Sequence, residues 1–142
     1  MINVFFVIDG HKLEAQAHFL AASILDHMMQ GCGFIAYVRP GAIIPRSLAR
    51  LLDEANVAVR EIPGLTPDPW SRPYPIGNKL LAAADCRGEG VSVFIDTDVV
   101  FCDTVDFAPF LKDCPVGAVL SDYKLGGVRD SAGWQKIFDF FK

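Results

Sequence analysis

No two of the four cysteines, Cys32, Cys86, Cys102 and Cys114, are spaced as CxxC. That absence argues against a zinc site or a redox dithiol, so four reduced thiols in a cytoplasmic protein are the expectation. The chain also lacks any cluster of Lys or Arg, and its formal net charge is −4 with a pI near 5.2. Without a basic stripe there is no electrostatic footprint for DNA or RNA, and no nucleic-acid partner is expected. The apolar opening Met1–Ile8 falls well short of the roughly 20 residues that cross a bilayer, and it has neither the basic flank nor the small-residue cleavage site of a signal peptide. There is no internal repeat. What remains is a chain of 142 residues, 51% apolar and 21% charged, the composition of one globular domain, 1–142, with a real core.

INVFFVI is rich in β-branched and aromatic residues and ends at Asp9-Gly10, a strand followed by a turn. From about His11 to Gln30, Leu13, Ala17, Leu20, Ile24 and Met28 recur at spacings of three and four, the period of an amphipathic helix, which Gly31 and Gly33 stop. FIAYVR over 34–39 makes a second strand. Pro45 then sits where a first-turn proline belongs, before a helix with a stripe of Leu48, Leu51, Leu52 and Ala55. VAVREI over 57–62 is a third strand. Strands alternating with helices of this length imply an α/β domain: a Rossmann-like, mostly parallel sheet with helices on both faces.

Between Pro63 and Pro75 the pattern breaks. Pro67, Pro69 and Pro73, together with Trp70 and Tyr74, rule out helix interior or central strand and predict a long ordered loop, either facing a ligand or packed over the core. GNKLLAAAD over 77–85 restores a helix. A short helix near Phe107–Leu111, a strand at Val116–Leu120, a Gly126-Gly127 link and a last helix from Trp134 to Phe141 complete the expected elements.

The most informative stretch is VSVFIDTDVVF over 91–101, where VSVFI reads as a buried strand running into Asp96 and Asp98. Residues two apart on a strand share a face, so if the extended geometry persists the two carboxylates converge on one cation. A shared divalent ion removes the repulsion between like charges. The plain alternative is turn chemistry, in which Asp caps backbone N–H groups at a strand end.

Three stretches together resemble the nucleotide-sugar half of a glycosyltransferase with the A-type fold, of the glycogenin-like and lipopolysaccharide galactosyltransferase-like kind. VFFVIDGHKLEAQAHFLAASILDHM is similar to that family's opening strand, acidic turn and helix, with Ala22-Ser23-Ile24 at its small-residue end. GNKLLAAAD resembles its Lys-bearing helix, and FIDTDVVF its hydrophobic-DxD-hydrophobic signature. The resemblance implies that Asp96 and Asp98 hold Mn2+ or Mg2+ against the diphosphate of a UDP- or GDP-sugar, with Asp96 also near the ribose. It implies further that Asp9 lodges the base or ribose, and that Asn78 and Lys79 face the sugar and phosphates. For Asp9 the alternative is a cap on the turn, and for Lys79 an exposed helix lysine. Arg39 ends the second strand, on the ligand edge of the sheet if the topology holds, and otherwise reads as solvated; His11, His18 and His27 read as surface or partly buried helix residues that bring no two onto one metal.

The family's later motifs are absent, and no histidine follows Asp98. The expectation is therefore either a truncated chain that keeps the nucleotide-binding half, or a compact relative completed by a second copy or another partner. The apolar residues Trp134, Ile137, Phe138, Phe140 and Phe141 call for such a cover unless they fold back on the sheet. Peripheral membrane association stays open. Two further readings compete: a catalytically inactive, nucleotide-binding or interaction domain, and a phosphatase of the haloacid dehalogenase type, whose nucleophile motif DTDVV also resembles but whose downstream motifs have no counterpart here.

Overall fold

The computed structural model describes residues 2–27, 31–65, 75–85, 87–88 and 90–107. The chain divides into two compact units, Met1–Pro109 and Phe110–Lys142, and all described residues belong to the first. The aromatic loop over 66–74, the strand expected at Val116–Leu120, the Gly126-Gly127 link and the helix from Trp134 lie outside the described residues, as does all but the first residue of the short helix expected at Phe107–Leu111.

Four strands and three helices alternate: β1 Ile2–Ile8, α1 His11–His27, β2 Cys32–Val38, α2 Arg46–Glu54, β3 Val57–Glu61, α3 Pro75–Ala83 and β4 Val91–Phe94. The sheet runs β3-β2-β1-β4 and every pairing is parallel. This is an α/β Rossmann-like sheet, as the alternation predicted. The strand order grows from β1 toward β3 and then reverses to β4, so the β1–β4 boundary is a topological switch point.

β1 and β2 are buried on both faces, which is why their sequences are near-continuous apolar runs. Val4, Phe6, Ile8, Phe34, Ala36 and Val38 pack with Ala17, Leu20 and Ile24 of α1 and Leu48 and Leu52 of α2. The opposite face gathers Phe5, Val7, Ile35 and Tyr37 against Ala82 and Leu81 of α3. Helices thus cover both sides. Complete burial of Phe6, Leu20, Leu48 and Leu52 contributes about 1.5–3 kcal/mol for each side chain.

Helix ends follow local chemistry. Gly10 adopts φ +95°, a conformation open to glycine, and its carbonyl accepts from the backbone N–H groups of Leu13 and Glu14 at 3.0 and 3.1 Å, which starts α1. Pro45 is the residue before α2 rather than its first turn, and its carbonyl accepts from Ala49 N at 2.9 Å. Asn56, left-handed at φ +53°, closes that helix by donating its N–H to Asp53 O. α3 begins at Pro75, two residues earlier than the sequence suggested, with proline at its first helical position.

One expectation fails at β4. VSVFI reads as a buried strand, yet β4 is an edge of the sheet among the described residues, and Val91 and Phe94 are exposed. A short apolar run carries no information about which position in the sheet order it takes. No helix among the described residues is long and apolar enough to cross a membrane.

Candidate functional site

The carboxyl ends of parallel strands are where open α/β sheets bind ligands, and the polar residues of this chain collect there. Ile8 and Val38 are paired in register, so the residues that follow them, Asp9 and Arg39, leave the sheet side by side. Arg39 forms an ion pair with Asp9 through Nε and places Nη2 3.3 Å from Asp9 Oδ2. From α3, Asn78 Nδ2 donates to the same Oδ2 at 2.6 Å. The Asp9 side chain is only 6% exposed and that of Arg39 is 35% exposed. A carboxylate this buried is tolerated because three donor groups satisfy it and two of them belong to one cation, Arg39. Donating to Asp9 in turn raises the Arg39 pKa above its ordinary value against the opposing effect of burial, so the guanidinium stays charged.

Two sequence expectations are corrected by this cluster. Arg39 is an ion-pair partner and not a freely solvated strand end. Asp9 does not cap the turn into α1: its oxygens go to Arg39 and Asn78, while the Gly10 carbonyl meets the first helical N–H groups. The parallel register was the missing signal, since opposite charges immediately after two paired strands are neighbours by construction.

The second cluster stands across the switch point. Lys79, the residue after Asn78, pairs with Asp96 Oδ1, and its ammonium lies 5.4 Å from the centre of the Phe94 ring. Asn78 is buried and Lys79 half-buried. Consecutive residues of α3 therefore reach the ends of β1 and β4. Asp98 is exposed and has no hydrogen-bond or ion-pair partner among the described residues.

The extended geometry from which strand periodicity put both carboxylates on one face does not persist through the acidic pair. Hydrogen bonding from Ile95 N to Phe5 O, 3.0 Å, is the last rung of the β4 ladder, and the backbone then turns, with Val99 N donating to Asp96 O at 3.2 Å. Asp96 and Asp98 stand exposed on either side of Thr97, which is buried and donates its Oγ1 to Gln16 Oε1 of α1 at 3.2 Å. Past the turn, Phe101 N donates to the buried Ser23 Oγ at 3.1 Å, and Ser23 Oγ donates to Leu20 O at 2.8 Å. Both ends of the acidic turn are thus fastened to β1 and α1. Ser23, singled out in the small-residue end of α1, holds this loop.

The histidines stand apart from the acidic turn. His11 is exposed and paired with Glu14, while His18 donates from Nδ1 to Glu14 O and meets Ser47 Oγ at 3.2 Å through Nε2. No group of three or more His, Cys, Asp or Glu residues able to hold a metal occurs among the described residues. Exposed carboxylates such as Asp96 and Asp98 are hard oxygen donors of the kind that Mg2+ and Mn2+ accept.

No curated protein matches the sequence. A family model does, over residues 4–142, and its description is a Rhodobacterales glycosyltransferase domain. The match begins within β1 and takes in the acidic turn and everything between them, and by this match over nearly the whole sequence the chain belongs to this glycosyltransferase domain family.

Proposed function

We propose that the chain is the nucleotide-sugar-binding part of a metal-dependent glycosyltransferase with the A-type fold, using a UDP- or GDP-sugar as donor. The observation that carries this reading is the arrangement at the switch point. α3 touches the Asp9 cluster with Asn78 and the acidic turn with Lys79, so two cations and an exposed carboxylate, Asp98, gather at the carboxyl end of the sheet.

Asp98, together with the second oxygen of Asp96, would hold Mn2+ or Mg2+, which when bound supplies Lewis-acid neutralisation of a leaving diphosphate. Lys79 adds a compact positive charge on the same side, suited to phosphate oxygens. Asn78, with its amide committed to Asp9, fixes where that charge stands. Thr97 and Ser23 hold the acidic turn through α1, so its carboxylates are presented by a rigid scaffold. Membership in a glycosyltransferase family favours this reading over the phosphatase.

Thermal unfolding followed while UDP, GDP and their sugars are titrated, with and without Mn2+, tests it. A specific ligand stabilises by mass action. Metal-dependent stabilisation with slow sugar-nucleotide hydrolysis is the expected result. Stabilisation without turnover points to the inactive binding domain, and no stabilisation by any nucleotide defeats the proposal.

A further inference from the structure

Asp9 and Arg39 exchange the roles that a sequence reading assigns them. Asp9 is the acidic residue after the first strand and the obvious candidate to touch a nucleoside, but it is almost wholly buried and its oxygens already receive Arg39 and Asn78. Arg39 is the reverse case. A third of its side chain is exposed, Nε and Nη2 are committed to Asp9, and Nη1 has no hydrogen-bond partner among the described residues. A guanidinium presents a fork of donors and no acceptor, and it matches phosphate oxygens better than any other side chain.

Its position fits that chemistry. Arg39 follows β2, next to β1, and Lys79 reaches Asp96 from the far side of the β1–β4 boundary. The two cations stand on either side of the end of β1, joined through consecutive α3 residues that bind Asp9 and Asp96. Because the ion pair with Asp9 already fixes its orientation, Arg39 loses little side-chain freedom on gripping an anion there.

We propose that Arg39 is a binding residue for the diphosphate of the donor nucleotide, with Asp9 as its positioning residue and not itself a ligand to the nucleoside. This rests on the nucleotide-binding reading above. Phosphate contacts are blind to the base, so the proposal predicts equal effects on UDP and GDP.

Calorimetric titration of UDP and GDP, each in EDTA and in Mn2+, reads it out. R39Q should weaken both nucleotides by about tenfold or more in either condition, the loss of one charge-assisted hydrogen bond. R39K should recover part of that loss, keeping the charge without the fork. D9N should weaken binding less than R39Q, and D9N combined with R39Q should be no worse than R39Q alone, since a positioning residue has nothing left to position. The double variant also leaves no unpaired buried charge, so it carries the comparison with wild type should R39Q fail to fold. Affinities within twofold of wild type for R39Q or the double variant overturn the proposal, and so does a loss confined to one base, which would make Arg39 a base reader. A double variant far weaker than R39Q overturns the role of Asp9. Wild-type protein that binds neither nucleotide in either condition brings down the underlying reading, and this inference with it.

Discussion

Neighbouring strands β1 and β4 each deliver acidic residues to the same edge of the sheet, and the two deliveries are treated in opposite ways. Asp9, after β1, is buried, hydrogen-bonded on both oxygens and neutralised by Arg39. Asp98, in the turn after β4, is exposed and has no partner among the described residues, while Asp96 commits one oxygen to Lys79. One carboxylate is spent on internal architecture, whereas the other remains available. Sequence position alone would rank them together, and burial with pairing separates them.

The largest stability effect belongs to the buried member. Removing one partner of a fully buried pair costs about 3–5 kcal/mol, and because Arg39 reaches solvent, R39A should cost less, about 2 kcal/mol, by chemical denaturation. Asp9→Ala should fall in the same range, since it strands Asn78 and frees Arg39. Equal stability of wild type and R39A would erase the contrast between the two clusters.

Ser23→Ala comes next. It removes the acceptor for the buried Phe101 N–H, and an unsatisfied buried donor costs about 1–3 kcal/mol. If the acidic turn depends on that tie, the variant should also lose metal-dependent nucleotide binding. Retained binding would show that Ser23 serves only the packing of α1.

An alkaline titration probes the opposite face of β1 and β2. Tyr37 is fully buried and donates to Asp85 Oδ2 at 2.5 Å, and its pKa lies above the ordinary value of 10.0, through burial first and the Asp85 contact second. Above pH 10 the unfolded chain releases this proton before the folded one does. The unfolded state then binds fewer protons, so stability falls as pH rises from there toward the folded pKa. Y37F should show a shallower decline over that window in unfolding curves. Identical slopes would remove Tyr37 from the account.

The smallest stability change is expected for Asp98→Asn, within about 0.5 kcal/mol of wild type, as for a surface substitution. Its effect on ligand binding is the reverse: Mn2+-dependent stabilisation by UDP or GDP should disappear. A destabilised protein with binding intact would make Asp98 a capping residue like any other.

The fold was legible because its signals are local. Leu13, Ala17, Leu20 and Ile24 spell out the buried face of α1 at helical spacing, and the apolar runs of β1 and β2 announce strands covered on both sides. The edge position that β4 takes among the described residues was not legible, since Val91 to Phe94 would look the same in the middle of a sheet. The acidic turn was found by its residues but misread in shape: the inference of a shared face needed the strand to continue, and it ends at Phe94. Arg39 was noticed as a strand end, but its ion pair with Asp9 was not foreseen. That contact arises from the pairing of Ile8 with Val38, a relation between strands that no single segment of chain contains.

Asn78 and Lys79 have a consequence for how α3 finds its place. Small residues such as Ala82 tolerate more than one alignment of a helix on a sheet, but this polar doublet does not. Sliding the helix by one residue would set an ammonium beside the guanidinium of Arg39 and offer Asp96 the aliphatic Leu80 instead of a cation. Electrostatic repulsion thus polices an alignment that shape alone leaves loose.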